Sequence, residues 1–336
     1  MTTVAPGTER ILATLVWKGG NMRGPPIRLT TLAVASQLAL ACASVPFRPT
    51  GDSVQRVAVN GAQLAYVADG TGPPLVIIHG GWGDLRSFAL SAPILADRSM
   101  VVRVSLRFQW PNQRPDSERD ALATYRVEQH AADVVALIER LGRGPADVLG
   151  HSYGGVVAAL IAQSRPDLIR RLVLVEPSLY GILSATPQGR KYAGDESGWR
   201  DGLLARIPEG MEAVAMGRVI FDGAKPGTFD GFPEPRRRIF TDNAQTVRLI
   251  LTNNWVDVPF GCGDARLLRM PVLIVEGERT DPDMRQIDTE LLACLPDARR
   301  VVLANATHRI QFDAPEALAR EVSAFLRDPL PVPWAH

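Results

Sequence analysis

Four short runs rich in apolar residues stand out along the chain. They occupy residues 75–78, 100–104, 172–175 and 272–275. A strand that is covered on both faces is apolar at successive positions rather than at alternate ones, so these runs predict buried strands. Residues 54–59 and 64–67 are two further strand candidates. They flank Asn60-Gly61, a dipeptide typical of tight hairpin turns because both residues tolerate positive φ.

Segments with helical spacing lie between the predicted strands. Apolar residues recur every three or four positions between 121 and 141, which predicts an amphipathic helix. They are Val127, Ala131, Val134, Val135, Ile138 and Leu141. Residues 156–163 and 314–326 are further predicted helices, and residues 146–149 and 301–303 are two more predicted strands. Strands that alternate with helices predict an α/β protein with a mostly parallel central sheet and helices on both faces.

Residues 179–263 interrupt this alternation. The segment has no strong strand pattern, but it contains scattered helical patches and many aromatic residues. A long insertion within an α/β domain commonly forms a lid over the functional site. We therefore predict a helical cap at residues 179–263 and an α/β core formed by residues 51–178 and 264–330. Residues 1–50 are predicted to be a signal-like segment and a linker.

The composition narrows the class of protein. Of the 336 residues, 46% are hydrophobic and 22% are charged, which excludes a largely disordered chain. The 37 basic and 36 acidic residues leave a net charge of +1, so there is no electrostatic basis for binding nucleic acid or an anionic membrane. The 3 cysteines are too few for a disulfide scaffold and lack metal-ligand spacing. The sequence implies no metal and no organic cofactor, and it leaves the oligomeric state open.

The region that begins at Met22 has the features of an export signal. Two arginines precede a mildly apolar stretch at residues 29–41, which is too short to span a bilayer and ends in small residues. If translation starts at Met22, we expect an exported protein that is periplasmic, secreted or anchored by a lipid on Cys42. Only such a lipid would bring the protein to a membrane. If translation starts at Met1, the stretch is an ordinary buried helix of a cytoplasmic protein.

Two cysteines, Cys262 and Cys294, lie far apart in the sequence. An oxidising compartment would permit a bond between them. Their spacing does not indicate one, so we expect two separate buried thiols.

The strongest chemical signal is the motif Gly150-His151-Ser152-Tyr153-Gly154-Gly155, between a predicted strand and a predicted helix. A Gly-x-Ser-x-Gly turn in this context holds its serine in a strained backbone conformation with the hydroxyl exposed. The small residues are needed because neighbouring backbone crowds the turn, and the helix N-terminus favours developing negative charge. We predict Ser152 as a nucleophile and His151 as a structural residue that points away from it.

A second glycine-rich turn, His79-Gly80-Gly81-Trp82-Gly83, follows the predicted strand at residues 75–78. Flexible backbone here can direct an amide at an oxyanion, and acyl transfer needs two such donors. We predict the N–H groups of Gly81 and Tyr153, with Trp82 as the alternative to Gly81. Tyr153 is a candidate because it directly follows the nucleophile.

The general base is found by elimination among 5 histidines. Two lie inside the glycine motifs, one lies on a predicted helix with polar neighbours, and one is the C-terminal residue. His308 is left, in a loop that follows a predicted strand. In hydrolases with this type of elbow, the base follows the nucleophile and the acid in the sequence. We therefore predict His308 as the base.

These motifs identify the chain as similar to the α/β-hydrolase superfamily over roughly residues 54–327. The resemblance implies Ser152 as nucleophile, His308 as base and an acid near the end of a late strand. Serine at the elbow argues against the epoxide-hydrolase and haloalkane-dehalogenase branches, whose members use aspartate there. Residues 105–111 replace a glycine-containing loop of many relatives with bulkier side chains, to which we assign no role.

At the position of the acid, the chain departs from the family pattern. It usually lies three residues after the glycine at 277, and here that position is Thr280. Asp281 follows, and the proline after it suits a turn that would direct the carboxylate towards His308, where it would fix the tautomer. We predict Asp281 as the acid. Asp283 is an alternative, and so is Glu176, because some family members take the acid from the preceding strand.

Taken together, the residues predict a carboxylesterase-like serine hydrolase with a lid. It would cleave an ester, a lactone or a related acyl bond of a small to medium, apolar substrate through an acyl-enzyme. The same residues also serve C–C bond hydrolases and cofactor-free perhydrolases. From a different class, some relatives are ligand receptors without turnover. Fold analogy alone does not choose among these alternatives.

Overall fold

One eight-stranded sheet organises the protein in a computed structural model, which describes residues 53–330 apart from residues 224 and 254. The predicted export signal, with Met22 and Cys42, lies outside the described residues. The strands are β1 (Gln55–Val59), β2 (Ala62–Asp69), β3 (Pro74–Ile78), β4 (Met100–Val104), β5 (Ala146–His151), β6 (Ile169–Val175), β7 (Val272–Gly277) and β8 (Ala298–Leu303).

The strand order across the sheet is β1-β2-β4-β3-β5-β6-β7-β8. β2 pairs antiparallel with β1 and β4, whereas every other neighbouring pair is parallel. Asn60 and Gly61 join β1 to β2 with φ of 43° and 76°, so the predicted hairpin turn is confirmed.

Twelve helices are described. They are α1 (Ala92–Ala96), α2 (Glu118–Leu122), α3 (Val127–Leu141), α4 (Tyr153–Ser164), α5 (Pro187–Arg206), α6 (Ala213–Phe221), α7 (Glu234–Asp242), α8 (Val247–Thr252), α9 (Cys262–Ala265), α10 (Pro282–Cys294), α11 (Ile310–Asp313) and α12 (Pro315–Arg327). None of these helices is both long enough and apolar enough to cross a membrane.

The core covers both faces of the sheet. In β3, Val76 and Ile78 belong to one apolar cluster, whereas Leu75 and Ile77 belong to another on the opposite face. This division follows from the two-residue repeat of a strand. Helix α12 buries one stripe against the second cluster, formed by Leu318, Ala319, Val322 and Phe325. The predicted α/β fold, with a mostly parallel sheet and helices on both faces, is confirmed.

The chain between β6 and β7 contains helices α5 to α9 and no described strand. We call this segment the insertion. Its aromatic side chains pack mainly on one another, with Phe221 in contact with Phe229, Phe232 and Phe240 at centroid distances of 5.3–5.9 Å. Such rings contribute both buried area and specific ring–ring contacts.

A disulfide bond joins the insertion to the core, so the expectation of two separate thiols is wrong. Cys262 in α9 and Cys294 at the end of α10 are bonded, with their Cα atoms 5.2 Å apart. They are separated by 32 positions in the sequence. Only the packing of α9 against α10 brings them together, and the sequence pattern does not show that packing.

Candidate active site

The loops at the carboxyl edge of the parallel strands carry all of the candidate residues. The turn that begins at His79 follows β3, Ser152 follows β5, and Glu176 follows β6. His308 lies in the loop between β8 and α11. Because parallel strands end at the same edge of a sheet, side chains that are far apart in sequence meet there.

Ser152 lies on a sharp turn between β5 and α4. Its φ of 53° is in the left-handed region, which is strained for a residue with a side chain. A Cβ at Gly150 would lie 2.3 Å from the carbonyl oxygen of Gly154, and one at Gly154 would lie 2.4 Å from those of Ile78 and His79. The elbow therefore requires both glycines, because other backbone already occupies the space of a side chain.

The structure places Ser152 and His308 in direct contact. The Oγ of Ser152 lies 3.0 Å from Nε2 of His308. The His308 side chain is 31% exposed, and Ser152 is half-buried, so a small molecule can reach both groups. This is the spacing that transfer of the serine proton to the imidazole requires.

His151 holds the loop that carries His308. Its Nε2 lies 2.8 Å from the backbone carbonyl oxygen of His308, and a carbonyl only accepts, so this nitrogen carries the hydrogen. Burial, followed by the nearby charge of His308, lowers the pKa of His151 to about 3 and keeps the ring neutral. The side chain fixes the position of His308 and does not contact the serine hydroxyl.

The acid beside His308 is Glu176 and not Asp281. Oε2 of Glu176 lies 3.2 Å from Nδ1 of His308, and the carboxylate is fully buried. Asp281 is exposed at the N-cap of α10. Asp283, the other alternative on that loop, accepts a hydrogen bond from the hydroxyl of Tyr180. The prediction of Asp281 is therefore corrected, because its carboxylate faces solvent rather than the imidazole.

Two donors from the end of β7 hold the Glu176 carboxylate. The backbone N–H of Gly277 donates to Oε1 at 2.6 Å, and the hydroxyl of Thr280 donates to Oε2. Thr280 occupies the usual position of the acid in the resembling family, and here it supports an acid from the neighbouring strand. Glu176 itself has a φ of 47°, a strained value that directs its side chain back towards the loop of His308.

The turn after β3 lies against the elbow. A Cβ at Gly81 would lie 3.8 Å from the Cβ of Tyr153. His79 donates from Nδ1 to the carbonyl of Gly80 at 2.7 Å, and its Nε2 accepts from the N–H of Leu106. Because C=O and N–H point in opposite directions in a trans peptide, fixing the carbonyl of Gly80 also fixes the N–H of Gly81. Burial lowers the pKa of His79, which favours this neutral ring.

Both predicted oxyanion donors are available. Within the described residues, the backbone N–H groups of Gly81 and Tyr153 have no protein acceptor. The N–H of Trp82, the alternative, is also free there. The carbonyl of Gly81 accepts a hydrogen bond from the buried side chain of Gln109 at 2.7 Å. The bulky segment at residues 105–111, to which the sequence assigned no role, thus supports this turn.

Ser178 is a neighbour of the candidate nucleophile that the sequence did not reveal. Its Oγ lies 3.3 Å from the Oγ of Ser152, and its backbone N–H donates to the carbonyl of Ser152. Ser178 follows Glu176 by two residues, so the loop after β6 contributes to both ends of the Ser152–His308 pair.

A half-buried acidic group lies at the border between the insertion and the core. Glu196 in α5 is close to Asp283 and Tyr180. Burial, followed by the charge of Asp283, raises the pKa of Glu196 to about 7, whereas Arg200 and His308 act in the opposite direction.

Comparison with known proteins gives one family and several distant relatives. Residues 75–321 match the alpha/beta hydrolase family. The dihydrolipoyllysine-residue acetyltransferase component of the acetoin cleaving system of Pseudomonas putida is 24% identical over 298 residues, which cover 82% of this chain and 70% of that protein. The soluble epoxide hydrolase of Corynebacterium sp. (strain C12) is 31% identical over 130 residues, which cover 38% of this chain and 42% of that protein.

Solved structures agree on the fold. A hydrolase from Pseudomonas aeruginosa PA01 superposes with a TM-score of 0.68 at 21% identity, covering 83% of this chain and 100% of that one. Sequence identity this low supports a shared fold and nothing more. The family match, which spans most of the chain, goes further: this protein belongs to the alpha/beta hydrolase family and is a hydrolase.

Proposed function

We propose that the protein is a serine hydrolase that cleaves an ester, a lactone or a related acyl bond through an acyl-enzyme. The observation that carries this proposal is the line of contacts from Ser152 Oγ to His308 Nε2 and from His308 Nδ1 to Glu176, at 3.0 and 3.2 Å. A serine hydroxyl is a weak nucleophile until an oriented base accepts its proton.

The first half of the reaction forms the acyl-enzyme. Ser152 Oγ attacks the acyl carbon while its proton passes to Nε2 of His308. Glu176 keeps the hydrogen on Nδ1 and stabilises the imidazolium. The N–H groups of Gly81 and Tyr153 donate to the oxyanion. When the bond to the leaving oxygen breaks, His308 returns the proton to that oxygen and the alcohol departs.

The second half uses water. A water molecule gives a proton to His308 and attacks the acyl carbon, and collapse of the second tetrahedral intermediate returns that proton to Ser152 and releases the acid. Every step uses the chain's own groups and water. The aromatic side chains of the insertion, with Trp82 against Phe221 at 5.6 Å, favour a small to medium substrate with an apolar part.

The proposal is tested by intact mass after treatment with a fluorophosphonate. The wild type should gain one adduct, and Ser152→Ala should gain none. The same two proteins are then assayed on a panel of esters and lactones, where Ser152→Ala and His308→Ala should each lose most of the activity. Absence of an adduct on the wild type would contradict the proposal and favour a ligand receptor without turnover.

We also propose that the protein is exported. The support is the signal-like segment after Met22 together with the bond between Cys262 and Cys294, since disulfides persist mainly in oxidising compartments. The N-terminal sequence and mass of the protein isolated from its natural host test this. Cleavage near residue 42 supports export, and a lipid on Cys42 adds membrane anchoring. An unprocessed chain that starts at Met1 would contradict it.

A further inference from the structure

Two arginines without acidic partners lie beside the candidate active site. Arg236 belongs to α7 of the insertion, and Arg309 directly follows His308. Within the described residues, no carboxylate lies within 4.0 Å of either guanidinium group. The charge of Asp313 acts on Arg236, but its carboxylate accepts hydrogen bonds from the backbone and hydroxyl of Thr307.

The two arginines, called here the arginine pair, share one aromatic ring. The guanidinium carbon of Arg236 lies 3.6 Å from the centroid of Phe232, and that of Arg309 lies 5.8 Å from it. Nε of Arg309 is buried and has no hydrogen-bond partner. A buried donor without a partner is costly, and two adjacent cations repel each other. Burial, followed by the charge of Arg309, lowers the pKa of Arg236 to about 10.

Contacts connect the arginine pair to the reacting groups along two routes. One route is the chain itself, since Arg309 follows His308. The other runs through aromatic rings: Phe232 contacts Phe221 at 5.3 Å, and Phe221 contacts Trp82 at 5.6 Å in the turn beside the elbow. An acyl chain that extended from Ser152 along these rings would lead towards the arginine pair.

We infer that Arg236 and Arg309 form a subsite for a carboxylate carried by the acyl part of the substrate. A carboxylate matches the planar fork of a guanidinium group, would give the buried Nε of Arg309 an acceptor, and would offset the repulsion between the two cations. The inference rests on the proposed serine hydrolase and adds to it the class of substrate: an ester or lactone whose acyl chain is apolar and ends in an acid.

The test compares two probes, the 4-nitrophenyl hemiester of glutaric acid and its methyl ester, which replaces the carboxylate by a neutral group with one more carbon. The readout is selectivity, the kcat/KM for the hemiester divided by that for the methyl ester. The wild type should prefer the hemiester. Arg236→Gln should lower the selectivity by roughly ten- to a hundredfold, mainly through KM, because a charge-assisted hydrogen bond is lost. Arg309→Gln should act in the same direction, and it serves as the second variant if Arg236→Gln does not fold.

Arg238→Gln is the matched control, since it removes the same charge from the same helix. Arg238 is 67% exposed and pairs with Asp242, so Arg238→Gln should have the same selectivity as the wild type. Equal selectivity in the wild type, Arg236→Gln and Arg309→Gln would overturn the subsite while leaving the hydrolase intact. A dependence on Arg236 that appears only for esters with the carboxylate on the alcohol would overturn the assignment to the acyl side.

A binding measurement separates failure of the subsite from failure of the proposed function. In Ser152→Ala, calorimetry with monomethyl glutarate requires no turnover. Tight binding that weakens about tenfold or more on adding Arg236→Gln supports the subsite even if the wild type hydrolyses neither ester and takes up no fluorophosphonate. Binding that is unchanged by Arg236→Gln would overturn it.

Discussion

Glu176 and His308 meet across a strand to which neither of them belongs. Glu176 follows β6 and His308 follows β8, and β7 lies between these two strands in the sheet. Their 3.2 Å contact is possible because the chain turns at the end of β7. There, Gly277 and Thr280 donate hydrogen bonds to the same carboxylate. A Cβ at Gly277 would lie 2.6 Å from the carbonyl oxygen of Ala306, so this position at the end of β7 has no room for a side chain. Glu176, its two hydrogen-bond donors and His308 thus form one connected arrangement.

This arrangement predicts that Glu176→Gln loses activity and Asp281→Asn does not. A neutral amide at 176 can no longer stabilise the imidazolium, and it can also hold the wrong tautomer of His308. A loss of roughly a hundredfold or more in kcat is therefore expected. Asp281 is exposed, so Asp281→Asn should have the same kcat as the wild type. Steady-state kinetics on an activated ester measure both. Full activity of Glu176→Gln together with loss in Asp281→Asn would show that the catalytic conformation differs from this one.

Ser178 predicts a smaller effect, on the rate at which Ser152 is labelled. If Ser152 gives its proton to His308, the hydroxyl of Ser178 must be the donor in their 3.3 Å contact. This donor stabilises the negative charge that develops on Ser152, so Ser178→Ala should slow fluorophosphonate labelling by about three- to tenfold. Ser178→Thr should restore part of the rate.

The control for Ser178 is Ser164→Ala on α4. The hydroxyl of Ser164 donates to the carbonyl of Leu160, remote from the site, so its loss should leave the labelling rate unchanged. If Ser178→Ala labels as fast as Ser164→Ala, Ser178 only fills space beside the nucleophile.

Glu196 predicts a pH-dependent stability. Its pKa of about 7 lies above the ordinary value of 4.5, so the folded state binds this proton more tightly than the unfolded state. Stability linked to the proton is present below pH 4.5 and is lost as the pH rises through 7. Glu196→Gln, which stays neutral, should melt near the wild type at pH 5 and roughly 2–5 °C above it at pH 8. Thermal denaturation at the two pH values measures the difference.

An exposed glutamate of the insertion provides the comparison for Glu196. Glu209→Gln should melt within about 1 °C of the wild type at both pH values. A gap between Glu196→Gln and the wild type that is the same at pH 5 and pH 8 would mean that packing, not ionisation, distinguishes the two side chains.

The fold could be predicted because its signals are local. The apolar runs of β3 to β7 and the stripe of α12 each report burial within a few residues, and the glycines around Ser152 report a crowded turn. Elimination among the histidines also led to His308, which the structure places against Ser152.

The acid could not be chosen because the choice depends on side-chain direction. Glu176 and Asp281 both follow strands at the same edge of the sheet, and only the positive φ of Glu176 and the donation from Thr280 decide which one faces His308. For the same reason, the sequence did not reveal Ser178 or the arginine pair. Their partners come from other parts of the chain, and no spacing rule joins α7 to the residue after His308.

The disulfide gives the last prediction. The bond between Cys262 and Cys294 closes a loop over 32 positions, and loop-closure entropy assigns such a bond about 4 kcal/mol. The double variant Cys262→Ser/Cys294→Ser, which leaves no unpaired thiol at this place, should therefore melt several degrees below the wild type. Reduced wild type should melt with the double variant, since both lack the same cross-link. Scanning calorimetry with and without dithiothreitol makes the comparison. Equal melting of oxidised wild type, reduced wild type and double variant would contradict the view that this bond stabilises the contact between α9 and α10.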